Sequence, residues 1–163
     1  EKEIDIQLGT LSKSLGSVGG YIAANSTIID YLVNTSRSFI FSTALSPADI
    51  GAALAALHIL ETDASVLGRL QENVNYMADK LTSMGIDATN ETPIFPILIG
   101  SNEDTLAVSD YLYESGIIGT AIRPPTVPIG ESRIRLTVTA AHNKEQIDYV
   151  CHTLHKAMKQ LNL

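Results

Sequence analysis

One lysine lies in a run of glycines and hydroxyl side chains, in "GTLSKSLGSVGGY" (residues 9–21). Lysine is mostly exposed in proteins, so the segment alone is typical of a solvated loop. Ser12 stands where a Walker-type loop needs glycine before Lys13, and the later glycines lack the dinucleotide-binding spacing, so both nucleotide motifs are excluded. The hydroxyls of Thr10, Ser12 and Ser14 can donate hydrogen bonds to an anion. This arrangement suits a lysine that forms a Schiff base with a phosphate-bearing aldehyde cofactor.

A second polar pattern lies in "ESRIRLTVTAAH" (residues 131–142). Alternation along a strand places Arg133, Arg135 and Thr137 on one face and the apolar residues between them on the other. Guanidinium is the preferred bidentate partner of a carboxylate, but paired charges are also common on surface strands. Both a carboxylate-binding site and a solvated face therefore remain open on this evidence.

Composition excludes several classes of protein. The chain has 163 residues, 45% of them apolar, and a net charge of -7, which is enough apolar content for a packed core. Its eleven basic residues are scattered, so the electrostatic pattern of a nucleic-acid-binding protein is missing. No apolar run is long enough to cross a bilayer, and the first residues do not resemble a signal peptide. We expect a cytoplasmic protein that binds neither nucleic acid nor membrane.

Cysteine and histidine usage gives no metal site. Cys151 is the only cysteine, which excludes an internal disulfide and a cysteine-based zinc site, and its place on an apolar helical stripe predicts a packing role. His152 and His155 lie three apart on the same predicted helix. Without a carboxylate at matching spacing, we interpret them as a solvated face and predict no metal.

Strands and helices alternate along the chain, which indicates an α/β fold. In the first part, "EIDIQL" and "GYIAA" are typical of short buried strands, and "SFIF" (residues 38–41) is expected to be a third. A helix follows, with Ser46 as N-cap, Pro47 at its first position and Asp49 completing a capping-box-like pattern. Its many alanines, on most faces, indicate close packing on several sides.

A long helix then marks a domain boundary. From Leu67 to Met84 apolar residues recur three and four apart, and Gly85 can end the helix. We place the boundary at the start of this helix, so that residues 1–64 form one part and residues 65–163 the other.

The second part is predicted to contain three strands and two further helices. The strands are "PIFPILIG", "GIIGTAI" and "SRIRLTVT". The first of the two helices is capped by Asn102 and ends near Gly116. The last helix starts at Asn143, with Gln146 three residues on, and buries an apolar stripe that includes Cys151.

Three segments together carry a family resemblance. "GTLSKSLGSVGGYIA", "RSFIFSTALSP" and "RPPTVPIGESRIRLTVTAAHN" closely resemble, in this order and at these separations, the C-terminal part of the α-oxoamine synthases, which are fold-type I pyridoxal-5'-phosphate (PLP) enzymes. The resemblance covers essentially the whole chain. It implies that residues 1–64 are the end of the large PLP-binding domain and residues 65–163 the small C-terminal α/β domain.

The resemblance also implies roles for individual residues. Lys13 is similar to the lysine that forms the Schiff base with PLP and then acts as the base, and Thr10 to the hydroxyl that binds the cofactor phosphate. Thr43, with Ser42 beside it, resembles the residue that reaches the phosphate from the second subunit of a homodimer, which places the active site at the subunit interface. Arg135 matches the ligand of the amino-acid carboxylate.

Within the family, "IRPPTVP" is similar to the members that condense L-alanine with pimeloyl-CoA, or the acyl-carrier thioester, to 8-amino-7-oxononanoate for biotin synthesis. Glycine C-acetyltransferase is the alternative activity. The family pattern also has two histidines and an aspartate upstream of the lysine, and none of that segment is in this sequence. We therefore expect the 163 residues alone to be inactive; a non-catalytic packing or dimerisation lobe is the other alternative.

Overall fold

The computed structural model describes residues 3–161. Its internal contacts divide the chain into two compact units, Glu1–Ala64 and Ser65–Leu163.

The first unit contains a β-hairpin and three helices. β1 (Ile6–Thr10) pairs antiparallel with β2 (Gly20–Ala24). They are followed by α1 (Ser26–Thr35), α2 (Arg37–Ile40) and α3 (Pro47–Thr62). The strand expected at "EIDIQL" thus begins three residues later and runs to Thr10.

The strand predicted over residues 38–41 is wrong, because this segment forms the short helix α2. The carbonyl of Ser36 accepts hydrogen bonds from the N–H groups of Phe39 and Ile40, and the carbonyl of Arg37 accepts one from Phe41. Four residues, three of them apolar or aromatic, are too few to show a helical period, so composition alone favoured a strand.

Helix α3 begins at the predicted residue, but fewer of its side chains are buried than predicted. The Ser46 hydroxyl accepts a hydrogen bond from the Asp49 N–H at 3.2 Å and donates to the Asp49 carboxylate at 2.6 Å. Pro47 is the first helical residue. Ala53 is the only buried residue among the described residues of the first unit, so the expected close packing on several sides and the expected burial of both strands are absent within this chain.

The second unit is a three-stranded antiparallel sheet with three helices. The strands lie in the order β3, β5, β4, so β5 is central. The elements in chain order are α4 (Ala64–Ser83), β3 (Ile94–Gly100), α5 (Asn102–Glu114), β4 (Thr120–Ile122), β5 (Ser132–Thr137) and α6 (Lys144–Gln160).

One hydrophobic core fills this second unit. The inward faces of β3 and β5 supply Phe95, Ile97, Ile134 and Leu136, and apolar stripes of all three helices pack with them. Cys151 lies in this core, as predicted. Burial on this scale removes enough apolar surface from water to stabilise a small domain.

The structure of the second unit differs from the prediction in two details. The N-cap of α5 is Ser101 rather than Asn102, because the Ser101 hydroxyl accepts the hydrogen bond from the Asp104 N–H, while Asn102 accepts one from the Ser132 hydroxyl. The strand predicted at "GIIGTAI" is reduced to the three residues of β4. The capping box at Asn143 and Gln146 is confirmed.

The mixed α/β class is confirmed, although both sheets within residues 3–161 are antiparallel. In that same stretch no single helix is both long enough and apolar enough to cross a membrane, and α3 and α4 meet those criteria only when taken together.

Candidate functional site

The lysine predicted to do chemistry lies in a tight loop between β1 and β2. This lysine loop (residues 11–19) is closed by hydrogen bonds from the Leu11 N–H to the Gly19 carbonyl and from the Ser17 N–H to the Leu11 carbonyl, both 2.9 Å. The Gly16 N–H also donates to the Lys13 carbonyl at 3.1 Å. The loop backbone is therefore held by its own hydrogen bonds, and Lys13 is displayed from a fixed turn.

Glycine is required at the end of the loop. Gly19 has a φ of 109°, which other residues rarely adopt, and a Cβ there would lie 2.7 Å from the Cδ1 atom of Leu45. On the adjoining hairpin, a Cβ at Gly9 would lie 2.4 Å from the ring of Tyr21. These close approaches fix the path of the chain on both sides of Lys13.

Two hydroxyls stand together at the start of the loop. The Oγ1 atom of Thr10 and the Oγ atom of Ser12 are 2.7 Å apart, and Thr10 also accepts a hydrogen bond from the Ser12 N–H at 3.2 Å. The side chain of Lys13 is exposed and, within residues 3–161, has no hydrogen-bond or ion-pair partner. An unpaired amine beside paired hydroxyls fits an aldehyde that carries a phosphate group.

The segment with Ser42 and Thr43 leads into α3. The Ser42 hydroxyl donates to the Ser38 carbonyl, whereas the exposed Thr43 side chain has no hydrogen bond to any described residue. Leu45 contacts the lysine loop at Gly19, as described above, and the Ser17 hydroxyl donates to the Asp49 carbonyl at 2.6 Å. The structure therefore fixes the chain following Thr43 against the lysine loop of the same molecule.

The predicted arginine face is present on β5 in the second unit. Ile134 and Leu136 are buried, while Arg135 and Thr137 are exposed on the opposite face. Arg133 is held by Glu131, with 2.8 Å between its Nη2 atom and the carboxylate. Arg135 has no hydrogen-bond or ion-pair partner among the described residues, so its guanidinium is free to bind an anion.

A separate polar cluster links α4 to α6. Lys80 lies 2.7 Å from the carboxylate of Asp148, and the Tyr76 hydroxyl donates to the same carboxylate at 2.9 Å. The hydrogen bond with Asp148 raises the pKa of Lys80, and the hydrogen bond with Lys80 lowers the pKa of Asp148. Burial raises the pKa of the nearby Cys151 thiol to about 11, so this cysteine is protonated at neutral pH.

The predicted site residues therefore fall in two groups. Thr10, Lys13, Ser42 and Thr43 lie in the first unit, and Arg135 lies in the second. His152 and His155 are exposed on α6. Sequence analysis did not identify Thr120, which is opposite Arg135 on the neighbouring strand, because cross-strand register is not visible in the sequence.

Comparison with known proteins defines the class. The chain belongs to the family of class I and II aminotransferases, whose model matches residues 1–154. This family and the likenesses below confirm the fold expected from the three sequence segments.

The names of individual relatives are more specific than the description of the family. The chain is 44% identical to the 8-amino-7-oxononanoate synthase of Thermoanaerobacter pseudethanolicus over 161 residues, which are 98% of this chain and 41% of that relative. It resembles the crystal structure of 8-amino-7-oxononanoate synthase from Francisella tularensis with a TM-score of 0.84 and 26% identity, covering 97% of this chain and 47% of that one.

A further likeness is to serine palmitoyltransferase from S. paucimobilis, solved with a PLP–myriocin aldimine. Its TM-score is 0.92 and its identity 26%, with 99% of this chain and 42% of that chain covered. The chain thus spans less than half the length of each of these three relatives.

Proposed function

We propose that this chain is the lysine- and arginine-bearing part of a PLP-dependent 8-amino-7-oxononanoate synthase. The activity is the decarboxylative condensation of L-alanine with pimeloyl-CoA or its acyl-carrier thioester. The observation that carries the proposal is the identity of 44% to such a synthase over 98% of the chain. The unpaired Lys13 in its glycine-bounded loop supplies the nucleophile that this chemistry needs.

Lys13 is the catalytic residue in this proposal. Its Nζ atom would hold the aldehyde of the cofactor and would accept the proton from Cα of alanine. When bound, PLP supplies an electron sink for the charge left at that carbon. The tight turn around Lys13 restricts where the amine can lie, which favours transfer to one position.

Thr10 and Thr43 bind the cofactor phosphate in this proposal. The Thr10 hydroxyl is held beside Ser12, and its single proton, which donates to the Gly19 carbonyl at 3.3 Å, would turn to donate to the anion. Thr43, with Ser42 beside it, is assigned to the phosphate of a second subunit, which makes the functional protein a homodimer. The exposed and unbonded side chain of Thr43 is consistent with a partner outside its own chain.

Arg135 binds the carboxylate of the amino-acid substrate. Its guanidinium is exposed and without a partner within residues 3–161, whereas that of Arg133 is occupied by Glu131. A guanidinium can donate two parallel hydrogen bonds to a carboxylate and thereby fix its orientation. This orients the Cα–H bond for removal of its proton.

Product formation tests the proposal. The protein that carries this chain is supplied with PLP and assayed with L-alanine and pimeloyl-CoA, and separately with glycine and acetyl-CoA. We expect turnover of the first pair, and its loss in Lys13→Arg but not in the matched surface variant Lys159→Arg. Turnover of glycine and acetyl-CoA alone would assign glycine C-acetyltransferase instead.

The 163 residues by themselves are expected to be inactive, since they span only 41% of the related synthase. The same assay on the isolated chain tests this expectation.

A further inference from the structure

Arg135 has two different neighbours across the sheet. In the register of β5 with its two partner strands, Arg135 lies opposite Pro96 of β3 on one side and opposite Thr120 of β4 on the other. Residues directly opposite in an antiparallel pair share a face, with Cβ atoms about 4.5–5.5 Å apart. All three residues are exposed. The Thr120 side chain is therefore the neighbour of the Arg135 side chain on the β4 side of this face.

The two sides of Arg135 differ in chemistry. Pro96 has no side-chain donor, and the exposed Ile94 and Leu98 flank it on the same strand. Thr120 carries a hydroxyl donor. Across the sheet, a carboxylate held by Arg135 thus finds a hydroxyl donor on the β4 side and apolar surface on the β3 side, while on β5 itself Thr137 is exposed on the same face.

The Thr120 hydroxyl also has no partner among the described residues. The hydroxyls of Thr105 and Thr153 donate to the carbonyls of Ser101 and Tyr149, four residues earlier, whereas those of Thr82, Thr126 and Thr137, like that of Thr120, have no partner among residues 3–161. Of these four, Thr120 is the one directly opposite Arg135 on a neighbouring strand. Two unpaired donors on neighbouring strands form a site for one anion with at least two acceptor oxygens.

We propose that Thr120 is a second ligand of the amino-acid carboxylate and donates to one of its oxygens while Arg135 binds the other. This inference rests on the proposed role of Arg135. The hydroxyl adds a directional donor on one side of the guanidinium, which fixes the tilt of the carboxylate toward β4. Thr120 is then a specificity-determining residue for substrates with a free carboxylate.

Substrate binding and turnover in the PLP-loaded protein that carries this chain test the proposal. We expect Thr120→Val to raise KM for L-alanine about ten-fold or more, because a hydrogen bond to a charged group is lost, and to leave KM for pimeloyl-CoA unchanged. Thr120→Ser should retain the wild-type KM. Thr82→Val, on the exposed surface of α4, is the matched control and should change neither KM.

Dissociation constants measured by calorimetry distinguish a ligand-binding role of Thr120 from a purely structural one. The dissociation constants of L-alanine and ethylamine are compared, since ethylamine keeps the amine and the methyl group but has no carboxyl oxygen to accept a hydrogen bond. Thr120→Val should weaken L-alanine binding and leave ethylamine binding unchanged. Equal weakening of both ligands, or no weakening of either, would overturn the proposal.

Failure of this inference is distinguishable from failure of the proposed function. If Arg135→Lys raises KM for L-alanine while Thr120→Val does not, Arg135 keeps its role and the role of Thr120 is refuted. If Arg135→Lys leaves KM unchanged, the carboxylate lies elsewhere and both assignments are refuted.

Discussion

At the start of the lysine loop, the hydroxyl of Thr10 is hydrogen-bonded to three groups: the Ser12 hydroxyl, the Ser12 N–H and the Gly19 carbonyl. It therefore orders the loop as well as being available to an anion. Sequence alone identified Thr10 and Lys13 from their residue types, but it contained no sign of the hydrogen bonds that position them. Those bonds depend on the path of the folded loop.

At this site we expect Thr10→Val to weaken PLP retention about ten-fold, because an anion loses one charge-assisted hydrogen bond. Thr10→Ser keeps the hydroxyl and should restore retention. Equilibrium dialysis of the cofactor measures both. Thr35→Val, which removes an exposed helical hydroxyl bonded to the Tyr31 carbonyl, is the control. Unchanged retention in Thr10→Val would contradict the phosphate role.

Gly19 gives a second test at the scale of the residue. Gly19→Ala introduces a Cβ 2.7 Å from Leu45 at a φ of 109°, so we expect a loss of about 1–3 kcal/mol in stability. Gly68→Ala in α4 meets no atom within 4 Å and should instead be neutral or stabilising by about 0.5–1 kcal/mol. Urea denaturation of the protein that carries this chain compares the two variants. Equal stabilities would show that the loop tolerates a side chain.

Among the elements, α4 and α6 are joined by the ion pair of Lys80 with Asp148. The lowered pKa of Asp148 means that its contribution is present above the usual carboxyl pKa and is lost as the pH falls below about 4. The raised pKa of Lys80 means that its contribution is present below its usual value and is lost at higher pH. The pair should therefore stabilise the second unit over the whole neutral range.

We expect Asp148→Asn to lower the melting temperature at pH 7 by more than at pH 3, because pH 3 is below the usual carboxyl pKa and the unfolded chain then gains a proton that the lowered pKa of native Asp148 opposes. Thermal melts at a series of pH values measure the difference. Asp79→Asn, at an exposed position on α4, is the matched control for the removal of one carboxylate from the helical surface of the second unit. A constant difference between Asp148→Asn and wild type from pH 3 to 7 would contradict this account.

Elements with a clear period or cap were predictable from sequence. The apolar seam of α4, the caps at Ser46 and Asn143 and the alternation of β5 are all as expected. The helical conformation of residues 38–41 was not predictable, because four residues are too few to show a helical period. Strand pairing, and hence the position of Thr120 beside Arg135, depends on contacts between distant parts of the chain.

On the scale of the whole molecule, the two units differ in how much they bury. The second unit has a continuous core, whereas Ala53 is the only buried residue described in the first. Many large apolar side chains of the first unit are exposed, including Leu8 at 79% and Phe41 at 77%. A two-stranded hairpin with exposed apolar faces has little stability of its own.

We therefore expect residues 65–163, expressed separately, to unfold cooperatively in urea and to give a dispersed amide NMR spectrum. Residues 1–64 alone should do neither. The two peptides serve as controls for each other. A cooperative transition in residues 1–64 would contradict the argument from burial.

We propose that the Nζ atom of Lys13 binds the aldehyde of PLP, and every other role given to the lysine loop depends on this bond. Borohydride reduction of the PLP-treated protein that carries this chain, followed by peptide mapping by mass spectrometry, locates the bond. We expect a pyridoxyl group on the peptide that contains Lys13, absent after Lys13→Ala. A label confined to other lysines, or no stable label in the wild-type protein, would contradict it.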